Sequence, residues 1–108
     1  MVRYMSTFRL KPDEDQEKAI KLWHEVHAPN VMKSKEFGIK KYVISRILSA
    51  PGGGDDFFGM VELYFDNLET AQKCMEFVAS NGPDAFTEVI TDSRRVFALE
   101  GELLYEQN

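Results

Sequence analysis

The sequence predicts an α+β domain of the ferredoxin-like type, in which two helices cover one face of a four-stranded antiparallel sheet. Four segments are rich in β-forming residues, and a segment with helical spacing of apolar residues follows the first and the third of them. The connection between the second and third segments has hairpin length. The predicted order is βαββαβ, and a single domain over residues 1–108 accounts for the chain.

The first strand and the first helix follow from two periodicities. Val2–Leu10 places its apolar side chains on one face at period two, which predicts a strand. Asp13 and Gln16 have the spacing of a capping box, and Gln16–His27 shows helical spacing of its inward residues. Those residues are Ala19, Ile20, Trp23, Val26 and His27.

Pro29 should end or kink this helix at Ala28, because proline lacks the N–H that the helix needs and restricts the residue before it. After a last turn through Val31 and Met32, the alternation in Ile39–Leu48 predicts the second strand. Ala50–Asp56 contains three consecutive glycines and predicts a flexible hairpin connection.

Phe57–Phe65 is the most apolar run and predicts a central strand. One of its predicted faces carries Val61, Leu63 and Phe65, and the other carries Phe58, Met60, Glu62 and Tyr64. The second helix begins near Leu68, with Asp66 and Glu69 as a capping box, and ends at Asn81-Gly82. Pro83 and the apolar residues in Ala85–Ile90 predict a short further helix, and Arg94–Leu104 predicts the last strand.

Composition excludes several classes of function. The net charge is −5 with scattered basic residues, which argues against nucleic-acid binding. Cys74 is the only cysteine, so internal disulfides are excluded and a reducing cytoplasm is expected. No apolar run reaches the ~18–20 residues of a membrane span, and the first residues lack the basic-then-apolar layout that is typical of a signal peptide. We expect a cytoplasmic protein that binds neither membrane nor nucleic acid.

The second face of the sheet carries apolar and aromatic residues on the third strand, and a monomer would leave them in water. We therefore expect a symmetric homodimer in which the two sheets face each other and each subunit encloses a cavity.

Two residues are the candidates for proton transfer. His27 shares a helix face with Trp23, and it either caps the carbonyls freed by Pro29 or lines the cavity as a general base or acid. Glu62 interrupts an apolar strand, so it either pairs with Arg46, Arg94 or Arg95 or faces a wet cavity where its pKa would rise. The candidate substrate-binding residues around them are Trp23, Tyr42, Phe58, Met60 and Tyr64, with tyrosine hydroxyls that could orient a carbonyl or enol. No metal site is expected.

Several segments together resemble the EthD family of the dimeric α/β-barrel superfamily. They are Trp23–Pro29, Gly38 with Tyr42-Val43, Gly59–Glu69 and Arg95–Phe97. The resemblance implies a ferredoxin-like protomer that dimerises through its sheets and needs no cofactor. The family is named after a protein of an ether-degradation pathway. This chain has Phe58 where the family often has aspartate, which removes one carboxylate near the start of the strand, and it has Tyr64 where the family often has tryptophan.

These observations favour a cofactor-independent enzyme of the isomerase, cyclase or monooxygenase type. It would act by proton transfer on a small apolar oxygenated molecule, with His27 as base or acid and Glu62 as the second group. The alternative is a non-catalytic dimeric binding or accessory protein of a degradation or biosynthetic pathway.

Overall fold

The computed structural model describes residues 1–49 and 57–99 and contains a four-stranded antiparallel sheet. Its strands are β1 (Val2–Leu10), β2 (Lys41–Arg46), β3 (Phe57–Phe65) and β4 (Ile90–Leu99), and their spatial order is β2-β3-β1-β4. This order confirms the ferredoxin-like prediction. β4 starts four residues earlier than predicted, while the Ala50–Asp56 connection and the predicted end of the last strand lie outside the described residues.

The first predicted helix is present but interrupted. α1 (Gln16–Leu22) continues into a single turn of π-helix, Trp23–His27, and then into α2 (Ala28–Met32). The N–H of Ala28 donates to the carbonyl oxygen of Trp23, five residues earlier. Because Pro29 has no N–H to donate, one hydrogen bond of the α-helical pattern is missing here. The chain forms a π turn immediately before the proline and resumes the α-helix after it. The predicted kink at Pro29 is therefore a π turn that precedes it.

Both helix starts differ from the predicted capping boxes. Asp15 caps α1 by accepting the N–H of Glu17 at 3.2 Å, and Asn67 caps α3 (Leu68–Ser80) by accepting the N–H of Thr70 at 2.8 Å. The predicted caps, Asp13 and Asp66, were each too far from the first helical turn. α3 ends at Ser80 with Asn81 as its C-cap, as expected.

No helix forms at 85–90, in contrast to the prediction. Residues 85–89 form a turn that leads directly into β4. Asp84 Oδ1 accepts the backbone N–H groups of Phe86 and Thr87 at 3.0 and 3.1 Å, and these two hydrogen bonds hold the turn.

The core lies between the sheet and the helices and is centred on aromatic rings. The Trp23 indole stacks on Phe86 at 5.4 Å and meets the edge of Phe8 at 5.1 Å. Gly59 makes this packing feasible, because a Cβ there would lie 2.5 Å from Trp23 Cη2. The described helices include none long and apolar enough to cross a membrane.

An irregularity in β3 corrects one predicted strand face. Phe8 pairs with Gly59 and Arg9 pairs with Phe57, so Phe58 is an extra residue in the register between them. The bulge turns Phe58 into the core, where it contacts Trp23 and Phe8. Phe58 therefore does not share a face with the alternating residues Met60, Glu62 and Tyr64.

Candidate functional site

His27 forms a close side-chain pair with Asp84. His27 Nδ1 lies 2.8 Å from Asp84 Oδ2, and the two side chains are 21% and 13% exposed. The π turn positions the imidazole, and the turn that follows α3 positions the carboxylate. The ring of His27 also contacts Phe86, at 5.0 Å between centroids, so the imidazole is held by both a hydrogen bond and a ring contact.

Both carboxylate oxygens of Asp84 take part in hydrogen bonds. Its Oδ2 also accepts Asn30 Nδ2–H at 3.1 Å, and its Oδ1 accepts the two backbone N–H groups of the 85–89 turn. Burial is the largest influence on the pKa of Asp84 and raises it. The hydrogen bonds from Asn30, His27 and the Thr87 backbone, with the charge of His27, outweigh that influence, so the pKa is lowered. Asp84 is ionised at neutral pH.

An ionised carboxylate can only accept hydrogen bonds, so the proton between the two groups belongs to His27 Nδ1. The neutral imidazole then has a bare nitrogen at Nε2, for which the described residues provide no hydrogen-bond partner. This arrangement fixes the tautomer and the orientation of the imidazole and leaves Nε2 available to accept a hydrogen bond.

A groove of about 200 Å³ adjoins this pair. It lies between α2, the end of α3 and the turn after it, and is lined by His27, Asn30, Val31, Lys33, Val78, Asn81, Gly82, Pro83 and Asp84. None of the described strand residues lines this groove. The expected site between the sheet and the first helix is therefore wrong for His27, whose groove lies between helical elements.

Glu62 is on the opposite side of the sheet from His27. Its Oε2 accepts hydrogen bonds from Arg3 Nη1 at 3.0 Å and from the Tyr64 hydroxyl at 3.1 Å. The prediction that His27 and Glu62 line one cavity is wrong, because strand alternation sends Glu62 away from the helices while Leu63 faces them. Glu62 pairs with an arginine, but the partner is Arg3 and not the expected Arg46, Arg94 or Arg95.

The other predicted site residues divide between the two faces. Met60 and Tyr64 lie with Glu62 on the face opposite the helices, which we call the open face. Trp23 and Tyr42 lie on the helix side and pack in or against the core. Phe58 belongs to the core and lines a second cavity of about 230 Å³, together with Leu10, Gln16, Arg46, Ile47, Leu48 and Phe57.

Asp84 and Asn30 are the residues that sequence reasoning missed. The dipeptide Pro83-Asp84, with Thr87 three residues later, is a turn signal that competes with the predicted helix. The contact between the Asp84 carboxylate and His27 could not be predicted, however, because 57 residues separate the two in sequence. Within the described residues, no cluster of three or more His, Cys, Asp or Glu side chains could hold a metal ion.

Comparison with solved structures gives several matches of low sequence identity. An EthD family protein from Bacillus halodurans has a TM-score of 0.68 and 21% identity, with 94% of this chain and 100% of that chain covered. A dimeric ferredoxin-like protein from an uncultured marine organism has a TM-score of 0.67 and 14% identity, with 97% and 92% covered. SnoaB, a cofactor-independent oxygenase from Streptomyces nogalater, has a TM-score of 0.63 and 12% identity, with 97% of each chain covered.

These structural matches establish the fold. Comparison with curated proteins gives no match. The model of the EthD domain matches residues 11–87, which include the whole interrupted first helix, β2, β3, α3 and the Asp84 turn. The matched range covers well over half of the sequence, and the chain therefore belongs to the EthD family.

Proposed function

We propose that this protein is a small-molecule enzyme that transfers a proton without a cofactor, with His27 as the base and Asp84 as the residue that positions it. The observation that carries the proposal is the 2.8 Å contact between His27 Nδ1 and Asp84 Oδ2 beside the groove. The substrate is a small, largely apolar, oxygenated organic molecule, as expected for a groove lined partly by valine and proline side chains.

The chemistry follows from the bonding of the pair. Nε2 of the neutral imidazole takes a proton from the substrate, and the resulting imidazolium is stabilised by the carboxylate that already holds Nδ1–H. The same nitrogen can return the proton to another atom of the substrate, which gives an isomerisation or a cyclisation. The loss of a proton is also a reasonable first step in an oxygenation.

Comparison with known folds supports a small-molecule role without selecting the reaction. SnoaB is described as a cofactor-independent oxygenase, and its fold is similar to this one along nearly the whole chain. Since one fold can host many activities, the reaction type has to be argued from the site.

A second candidate function is a non-catalytic binding or accessory protein. Asp84 also holds Asn30 and the backbone of the 85–89 turn, so the His27 contact could serve to attach that turn to the first helix. In this role the groove would bind a ligand, but His27 would not exchange a proton with it.

Proton transfer to a simple ketone distinguishes the two functions. Acetophenone in D₂O exchanges its methyl protons when a base removes them, and NMR measures the loss of the methyl signal. We expect the wild-type protein to accelerate this exchange and the His27→Gln variant to lose at least about 100-fold of the acceleration. His24→Gln is the matched control, because His24 is the only other histidine and is exposed.

Retention of exchange by the His27→Gln variant would refute the assignment of His27. Binding of acetophenone by the wild-type protein with no acceleration of exchange would favour the non-catalytic function.

We further propose that the open face forms a homodimer interface. One of the solved structures with the same fold is described as a dimeric ferredoxin-like protein. The open face combines the Arg3–Glu62–Tyr64 group with exposed Val96, which is 54% exposed in the single chain. In this proposal Glu62, Met60 and Tyr64 contribute to association of subunits, and not to the groove beside His27.

A further inference from the structure

The groove beside His27 has a single ammonium group on its wall. Among the described residues that line the groove, Lys33 is the only lysine or arginine. Lys33 is the C-cap of α2, and its side chain is exposed. Acidic side chains among the described residues pair with Lys40 and Lys73, but none pairs with Lys33. The charge of Lys33 is therefore available to a ligand that enters the groove.

The negative charge of the groove is already compensated. Asp84 is the only carboxylate among the described residues that line it. The two oxygens of this carboxylate accept four hydrogen bonds, from His27, Asn30 and two backbone N–H groups of the 85–89 turn. These donors share the charge of Asp84, whereas the charge of Lys33 has no such partner among the described residues.

The helix ends at the groove are also satisfied. α2 and α3 both end there, and the last carbonyl oxygens of a helix carry a partial negative charge. Here the carbonyl oxygen of Asn30 accepts the N–H of Lys33 at 3.3 Å, and that of Val78 accepts the N–H of Asn81 at 3.2 Å. With these oxygens occupied, the strongest unpaired charge at the groove is positive.

The size and lining of the groove limit the ligand further. Its volume of about 200 Å³ is smaller than the roughly 300–1,000 Å³ of most ligand pockets. Val31, Val78 and Pro83 provide apolar surface. Lys33 follows His27 by six residues, which corresponds to about 9 Å along a helix axis. A short molecule with an apolar body and one charged end matches this arrangement.

We propose that Lys33 binds a carboxylate of the substrate, and that the substrate class is a short-chain oxo carboxylate whose acidic C–H reaches His27. This inference rests on the proposed function, since it names the class of molecule from which His27 takes a proton. A carboxylate fits better than a phosphate, because phosphate sites usually combine bidentate guanidinium groups or several backbone N–H groups. The described lining of the groove contains no arginine, and the backbone N–H groups of Asn81 and Gly82 donate within the end of α3.

The carboxylate takes no part in the bond changes. The C–H bond next to the ketone breaks, and its proton forms an N–H bond at His27 Nε2. The electron pair left on carbon forms a C=C bond, and the π pair of the carbonyl moves to oxygen. In D₂O a deuteron then returns to the carbon. Lys33 acts by holding the other end of the molecule, so that the C–H is presented to the imidazole.

The test uses levulinate and its homologue with two more methylene groups, each compared with its neutral methyl ester. Ligand-observed NMR titration gives the dissociation constants, and the loss of the ketone methyl signal in D₂O gives the exchange rate. The main variant is Lys33→Gln, which removes the charge, and Lys33→Arg restores a charge. Lys35→Gln is the matched control, because Lys35 is also exposed and close in sequence but does not line the groove.

We define the carboxylate preference as the dissociation constant of an ester divided by that of its carboxylate. We expect a preference of about 3- to 10-fold for at least one chain length in the wild type, in Lys33→Arg and in Lys35→Gln, and none in Lys33→Gln. Because the charge is exposed, the preference should decrease when the salt concentration is raised from about 20 mM to about 500 mM.

Three results would overturn the inference. The first is equal binding of carboxylate and ester by the wild type, and the second is a preference that Lys33→Gln retains. If that variant only lowers the melting temperature, Lys33 serves to stabilise the end of α2. The third is displacement of the carboxylate by inorganic phosphate at a lower concentration than by acetate, which would assign Lys33 to a phosphate.

The two proposals fail in distinguishable ways. If the carboxylate preference depends on Lys33 but the wild type accelerates no exchange, the binding role stands and the proton-transfer function is wrong. If His27→Gln abolishes exchange while Lys33→Gln binds and exchanges every probe as the wild type does, the base assignment stands and the role of Lys33 is wrong.

Discussion

Asp84→Asn should invert the tautomer of His27 while it leaves the adjacent turn in place. The amide oxygen can still accept the N–H groups of Phe86 and Thr87, as Oδ1 does now. The amide nitrogen must then occupy the position of Oδ2, where it is a donor facing two donors, His27 Nδ1–H and Asn30 Nδ2–H. The imidazole avoids this conflict by moving its proton to Nε2 and accepting at Nδ1.

The expected loss of stability is moderate. The variant exchanges two charge-assisted hydrogen bonds at Oδ2 for one neutral bond, and a hydrogen bond to a charged group contributes about 1.5–3 kcal/mol. Water can partly replace the bond to Asn30. We therefore expect a loss of about 2 kcal/mol, which corresponds to a decrease of roughly 8 °C in the unfolding temperature.

The expected loss of activity is much larger than the loss of stability implies. A protonated Nε2 can donate a hydrogen bond but cannot accept a proton, so ketone exchange should fall about 10²- to 10⁴-fold in protein that is still folded. Long-range ¹H–¹⁵N correlation at a pH of about 8.5, where histidine is ordinarily neutral, identifies the protonated nitrogen directly. The chain contains only two histidines, and exposed His24 provides an internal reference.

A wild-type spectrum with the proton on Nε2 would refute the tautomer argument, whatever the activity. If the variant has the inverted tautomer but exchanges the ketone protons as fast as the wild type, the tautomer argument stands and His27 is not the base. Asn30→Ala serves as the control, since it removes one bond from Asp84 and leaves the His27 contact intact.

Three further predictions concern acid stability, packing and association. Because the pKa of Asp84 in the folded state lies below its ordinary value of 3.8, its stabilising effect is complete above that value and is lost as pH falls through the folded-state pKa. We expect urea unfolding to show a smaller difference in the free energy of unfolding between wild type and Asp84→Asn at about pH 2 than at about pH 5. The same difference at both pH values would contradict this. Gly59→Ala should cost about 1–3 kcal/mol, because its Cβ would meet Trp23 at 2.5 Å. Since Trp23 is the only tryptophan, a red shift of its fluorescence reports the displacement, and an unchanged melting temperature would show that the ring relaxes freely. On size-exclusion chromatography the protein should elute at twice its 12.4 kDa mass. The Val96→Glu variant, altered on the open face, should elute as a monomer, whereas the Leu68→Glu variant, altered at an exposed position on the helix side, should still elute as a dimer. A wild-type monomer would refute the interface.

The strands were the most predictable part of this fold because their side chains alternate at a fixed period. β1 and β3 have the predicted boundaries, and Val2, Tyr4 and Phe8, which period-two spacing places on one face of β1, are buried. The bulge at Phe58 was not predictable from β3 alone, since a run with apolar residues at successive positions is consistent with either face. It depends on how Phe8 pairs across the sheet.

Only part of the candidate site could be predicted from the sequence. The spacing of Trp23 and His27 indicated a shared helix side, and Pro29 indicated an irregularity there. The partner of His27 could not be inferred, because a contact between residues 27 and 84 depends on how α3 packs and where it ends. Glu62 was singled out correctly as an acidic residue that needs a partner, but its face could not be related to that of His27 without the register of three strands.

The contact between His27 and Asp84 also explains why the irregular helix is useful to this chain. An uninterrupted α-helix satisfies its own backbone and needs little support from a distant turn, whereas the segment around Pro29 lacks one donor and follows a π turn. Asp84 links the 85–89 turn to the first helix. One of its carboxylate oxygens accepts hydrogen bonds from the turn, and the other is bonded to His27 and Asn30. Phe86, which is fully buried, then contacts the rings at both ends of the π turn, Trp23 and His27. The position of the imidazole is therefore determined jointly by the helix and by a turn 57 residues away, so that a substitution in either one should move the imidazole relative to the groove.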